Sequence, residues 1–119
     1  MAAPDIVGVQ NIYGKTNVLV VTDVATAIVT NNTASGEVYK VNHLTVCNVD
    51  GTNNADITVD LYRSNTAYHI AKTIVVPADA TVIVINKDNP YYLEEGDALR
   101  CTASANSDLE ATSSYEVIS

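Results

Sequence analysis

The chain contains no tryptophan and no phenylalanine; all seven of its aromatic residues are tyrosine. Without indole or phenyl rings, the interior must be filled by Val, Ile, Leu and Ala. Bases are also scarce: six Lys and Arg stand against fourteen Asp and Glu, for a formal net charge of −8. The six, Lys15, Lys40, Arg63, Lys72, Lys87 and Arg100, are scattered along the chain. Nucleic-acid binding needs clustered cations to displace counterions from phosphates, so free nucleic acid is not expected as a partner. The acidity serves solubility and steers the protein toward basic surfaces. No apolar run approaches the ~20 residues of a membrane-spanning helix, so no membrane role is expected. Residues 1–4 (MAAP) have neither the basic start nor the apolar stretch of a secretory signal. The expectation is therefore synthesis in a reducing cytoplasm, with Cys47 and Cys101 as free, buried thiols. A disulfide between them would require their strands to be neighbours.

What remains is a chain of 119 residues that is 47% hydrophobic, the size and composition of one globular domain. Its Val, Ile and Thr content favours strands, because β-branched side chains fit a pleated surface. Residues 1–12 read as an N-terminal arm, broken by Pro4 and Gly8 but carrying Ile6, Val7 and Val9. Tyr13, Gly14 and Lys15 read as a turn before the first firm strand, 17–22, followed by a strand over 25–30.

The most regular unit spans 37–64. Its second arm alternates cleanly, with Ile57, Val59 and Leu61 on a core face and Asp56, Thr58, Asp60 and Tyr62 opposite. The first arm changes phase at Asn42 and His43, which predicts a bulge. The connection opens with Asp50-Gly51, a hairpin signal between strands. Further strands are predicted over 67–76, 81–85, around 91–93, over 98–105 and over 109–117, separated by polar turns. About eight strands at this spacing predict an all-β fold: a single-domain antiparallel β-sandwich over residues 13–119, jelly-roll or immunoglobulin-like.

Chemistry-bearing patterns are sparse. His43 and His69 have no metal-ligand spacing, and His43 lies ~13 Å along a strand from Cys47. The segment 50–56 (DGTNNAD) is rich in oxygen ligands, but its Gly is misplaced for a calcium loop and no closing Glu follows, so it reads as a turn. Glu94, Glu95 and Asp97 form the densest acidic stretch, on one turn, which reads as a solvated loop rather than a convergent catalytic pair. Tyr91 and Tyr92 offer ring faces to a sugar or a protein partner, although strand alternation sends one of the two inward. No nucleophile, acid and base converge in the sequence, so an enzyme is not expected and no cofactor is implied.

Residues 36–42 (GEVYKVN), 56–64 (DITVDLYRS), 71–80 (AKTIVVPADA), 92–100 (YLEEGDALR), 102–106 (TASAN) and 114–119 (SYEVIS) together resemble small β-rich virion structural proteins of tailed bacteriophages, particularly those of cyanobacteria. The resemblance covers residues 36–119. It implies a non-enzymatic role in a virus particle made in a host cytoplasm. The expected function is capsid decoration, a cement protein bound to the major capsid protein or other virion proteins. A homo-oligomer, for instance a trimer at a local three-fold axis, suits such a site. The alternatives are a neck, tail or fibre component and, from another class, a carbohydrate-binding module. The candidate interface residues are Ile6, Val7, Val9, Tyr13, Tyr91 and Tyr92.

Overall fold

A computed structural model describes residues 6–119. After a 3-10 turn, Ile6–Gly8, the chain forms nine strands: β1 (Ile12–Val20), β2 (Thr26–Thr30), β3 (Val38–Asn48), β4 (Ala55–Arg63), β5 (Thr66–Val76), β6 (Thr81–Ile85), β7 (Tyr91–Leu93), β8 (Ala98–Ala103) and β9 (Leu109–Ile118). The predicted all-β sandwich is what forms. One antiparallel sheet runs β1-β9-β3-β6, with β7 also paired to β3; the other runs β2-β8-β4-β5.

The order resolves the choice left open between sandwich topologies. β6 pairs with β3 at positions 44–47 and β7 pairs with it at 39–41, so the two are one strand interrupted by the loop 86–90. Counted as one, they leave eight strands in which nearly every connection crosses from one sheet to the other. That two-sheet arrangement of nested Greek keys is a jelly roll.

The unit 37–64 is not a hairpin. β3 belongs to the first sheet and β4 to the second. Both strands bury one face against the same core, and the connecting loop spans the gap between sheets. Asn48 and Asp50 shape that loop: Asn48 Nδ2 donates to the carbonyls of Asn53 and Val76, and the Thr52 N–H donates to Asp50 Oδ1 at 2.8 Å. The Asp-Gly pair sits inside this Asx turn and closes no ladder. Among the described residues, the one hairpin between consecutive full strands is β4–β5, where Arg63 pairs with Thr66 across Ser64 (φ 52°) and Asn65 (φ 60°). Two positive φ values make the primed turn that matches strand twist.

The bulge predicted at Asn42 is present: the β3–β9 ladder shifts register between Val41 and His43. It keeps Val41, Leu44 and Val46 all directed at the core, each fully buried. Opposite them lie Ile57, Val59, Val76, Leu99 and Cys101 from the second sheet. Each large aliphatic buried here contributes ~1.5–3 kcal/mol. Leu61, expected in the core, is only partly buried and packs against its margin. The turn read at Tyr13, Gly14 and Lys15 is instead the first half of β1, paired with Val117, Glu116 and Tyr115. Its local composition suggests a break, but the uninterrupted partner strand β9 holds it extended.

Candidate interaction surface

The two faces of the first sheet differ sharply. Inward, Tyr115 stacks on Tyr39 with centroids 5.5 Å apart, and its hydroxyl bonds Asn17 Oδ1 at 3.2 Å. Burial, with the Glu37 carboxylate beside it second, raises the pKa of the Tyr39 phenol. Asn17 Nδ2 donates to the Ile28 carbonyl at 2.8 Å and so ties β1 to β2 across the sandwich. Outward, the ladders align Val18, Thr112, Thr45 and Ile83 in one row across four strands. Val18 is 77% exposed and Ile83 60% exposed. Ile12 and Val20 share that outer face of β1 and are also exposed. A shallow groove between β1 and β9 is bordered by Val18, Val20, Glu110 and Thr112.

Of the candidate interface residues, Tyr13 on β1 and Tyr91 and Tyr92 on β7 lie toward the same end of the first sheet, with β9 and β3 between them. The Ile6 side chain lies outside the described residues, as do residues 1–5. Val7 is 95% exposed, while Val9 is partly covered. The arm is anchored just beyond them: the N–H groups of Gln10 and Asn11 both donate to the Ser119 carbonyl, and the Ser119 N–H donates to the Asn11 carbonyl. Tyr13 is exposed near that end of β1. Tyr91 and Tyr92 split as alternation requires. Tyr91 lies opposite Val41 and packs on the core, and Tyr92 faces outward opposite Lys40. The pair therefore presents one exposed ring, not a double aromatic platform. Composition could not reveal the outer row of Val18 and Ile83, because Val and Ile in strands 17–22 and 81–85 read equally well as fully buried.

The acidic stretch at 94–97 is corrected in part. Asp97 is buried, not solvated. Its carboxylate accepts from Arg63 Nε at 2.9 Å and Nη2 at 2.5 Å, and from the Glu94 N–H at 2.8 Å. Glu94 adds a second contact to Arg63 at 2.7 Å. The hydrogen bonds that Arg63 donates to Asp97 are the main cause that raises the Arg63 pKa. Beside this pair, buried Asn31 donates to the carbonyls of Glu37 and Leu93 and accepts from Ser35 Oγ at 2.6 Å. The cluster locks one end of the sandwich, where the β2–β3 loop meets the β7–β8 turn. Asp97 and Asn31 are satisfied within it, while Arg63 and Glu94 stay partly exposed and, with Thr33, Ser64 and Glu95, line an open polar pocket.

Asp60 also departs from the sequence reading. It lies on the outward face of β4 as predicted, yet it is buried beneath Arg100. Asp50 is half-buried, and the N–H donors of Thr52 first, then Asn53, lower its pKa. Those donors occupy the oxygens that a cation would need. Among the described residues, no three His, Cys, Asp or Glu side chains are grouped to hold a metal. His43 sits at the β3 bulge and His69 is exposed on β5. Cys47 is half-buried on β3 and Cys101 is buried on β8, in the other sheet, and both are free.

No protein-family model matches the chain, and no curated protein matches it. Solved structures are similar in fold. A chain from Bacillus endospore appendages, described as a family of disulfide-linked pili, superposes with a TM-score of 0.51 at 15% identity, covering 91% of this chain and 85% of that one. A pentameric capsid protein from metagenomic phage sequences gives 0.41 at 17% identity, covering 84% of this chain and 59% of that one. The first similarity establishes a shared fold; the second lies below the level at which a fold is assigned.

Proposed function

We propose that this chain is a non-enzymatic structural protein of a tailed-phage particle, acting as a decoration protein on the outer surface of the capsid. The observation that carries the reading is a jelly roll with a solid interior. The strand order is one used by viral capsid domains and by ligand-binding lectins and cupins. Ligand-binding members need a concave site with converging polar groups. Here the space between the sheets is filled by Val41, Leu44, Ile57, Val59 and Leu99, all fully buried. The outer surface is acidic and carries the exposed apolar side chains of Val18 and Ile83 at the two ends of a row that runs through Thr112 and Thr45. The sequence resemblance of residues 36–119 to virion proteins points the same way. The endospore-appendage chain, from a family described as disulfide-linked pili, shares this fold. Fold alone does not determine function, so the outer surface and the resemblance are needed beside it.

The elongated envelope, 49 × 26 × 20 Å, favours a second reading as a neck, tail or fibre component stacked end to end. Quantitative mass spectrometry of purified particles separates the two. Decoration predicts on the order of hundreds of copies, comparable to the major capsid protein. A few to tens of copies would assign the chain to the neck or tail. Absence from particles, together with a glycan-array signal lost on Tyr92→Ala, would replace both readings with a carbohydrate-binding module.

A further inference from the structure

We propose that two copies of this chain join edge to edge through β1, antiparallel about a two-fold axis at Thr16, so that one continuous sheet crosses both. The sandwich has four long lateral edges, and three of them are spoiled for pairing. β2 has five residues, and its ladder shifts between Ala27 and Val29. β6 also has five, and its ladder shifts between Leu44 and Thr45. β5 is longer, but its register shifts twice against β4, and Thr73 within it has a φ of 48° beside the charge of Lys72. Short strands, bulges and inserted lysines are the devices that keep sheet edges from pairing. β1 carries one lysine, Lys15, but is neither short nor bulged: nine residues run in register with β9 from Ile12 opposite Ile118 to Val20 opposite Glu110. No described strand pairs with its other side.

Charge selects the partner. β1 reads IYGKTNVLV, with one lysine and no acid, in a chain carrying fourteen acids and six bases. Two such chains repel one another over most of their surfaces, and β1 is a long edge at which that repulsion is least. The sequence is also complementary to itself. Centred on Thr16, Ile12 faces Val20 of the second copy, and Val18 faces Gly14. Val18 is the most exposed large hydrophobic side chain of β1, and the space above Gly14 is empty: a Cβ there would meet nothing within 4 Å. Lys15 faces Asn17 and never its own counterpart, while Tyr13 faces Leu19. Nine paired residues form about eight to ten main-chain hydrogen bonds, the number found across a typical protein interface. Pairing β1 with β5 of another copy would instead lay a regular strand along a bulged one.

This inference concerns the isolated chain and does not rest on the virion reading. Sedimentation of the full chain tests it first, with a dimer expected. Thr16→Asp sets two carboxylates against each other across the axis and is expected to give monomers with unchanged circular dichroism. Mixing that variant with Thr16→Lys is expected to restore the dimer. Register is read with cysteines in a Cys47→Ser background. Thr16→Cys places two thiols directly opposite, at a separation a disulfide spans. Gly14→Cys places them four residues apart, ~13 Å. About tenfold more disulfide-linked dimer is expected from Thr16→Cys than from Gly14→Cys. A chain that stays monomeric at ~100 times its working concentration, a trimer or polymer, or equal cross-linking at both positions overturns the proposal.

Discussion

Arg100 on β8 lies directly across from Asp60 on β4, with its Nε 2.8 Å and its Nη2 3.2 Å from the two carboxylate oxygens. Its guanidinium carbon also sits 3.9 Å from the centre of the Tyr62 ring. The Asp60 side chain is 3% exposed and that of Arg100 22%, so the pair is largely withdrawn from water under one aromatic ring. A bidentate geometry with a stacked ring is the arrangement in which arginine outperforms lysine.

The pair's energetics follow from that burial. Arg100→Ala leaves the Asp60 carboxylate buried without a partner and is expected to destabilise the fold by ~3 kcal/mol. Arg100→Lys keeps the charge but loses the fork and the stacking, and is expected to cost ~1–2 kcal/mol. The double variant Asp60→Leu with Arg100→Met is expected to return to within ~1 kcal/mol of the parent. Urea unfolding of the parent and the three variants measures all three differences. A loss under ~0.5 kcal/mol for Arg100→Ala would show the pair to be an ordinary surface contact.

Cys101 gives a pH dependence with a defined sign. Burial first, and the nearby Asp60 charge second, push its pKa from an ordinary 9.0 up to about 12. In the unfolded chain the thiol ionises near its ordinary value, while in the folded chain it keeps its proton. The unfolded state therefore binds fewer protons between those two values, and stability falls as pH rises from about 9 toward 12. The group's full contribution is present below that window. Chemical denaturation between pH 9 and 11 is expected to show a component of up to ~1.4 kcal/mol per pH unit that vanishes in Cys101→Ala. Thiol titration of the native protein is expected to find Cys47 reacting promptly and Cys101 only on unfolding.

The arm makes a separate prediction. Gln10 and Asn11 are bonded to Ser119, and Ile12 already belongs to β1. Removing residues 1–9 spares those bonds and is expected to leave thermal unfolding within a few degrees of the full chain. If Ile6, Val7 and Val9 contact the shell, the shortened chain binds purified capsids at lower occupancy. Equal occupancy of the two forms would remove the arm from the account.

Much of this fold was legible in the sequence, and the exceptions have physical causes. Strict alternation at 55–61 and 109–117 placed Ile57, Val59, Ala111 and Tyr115 inward, and the phase break at Asn42 located the β3 bulge. Alternation fixes the face of a strand but not its neighbour, so the 37–64 unit read as a hairpin although its arms lie in different sheets. The true hairpin, at Ser64 and Asn65, has no glycine; its positive φ values appear only in the backbone. Asp60 and Asp97 read as solvated acids because their partners, Arg100 and Arg63, are 40 and 34 residues away. The interaction surface was the least legible part. Whether Val18 faces core or solvent depends on which sheet its strand joins, and no local pattern carries that information.

The account centres on a structural protein seated on the outside of a phage shell, and a symmetry-expanded image reconstruction of the purified particle tests it most directly. The account predicts density for a two-sheet sandwich of ~50 Å length on the outer shell surface, repeated over the capsid lattice. A particle whose shell density is fully explained without this chain would contradict it.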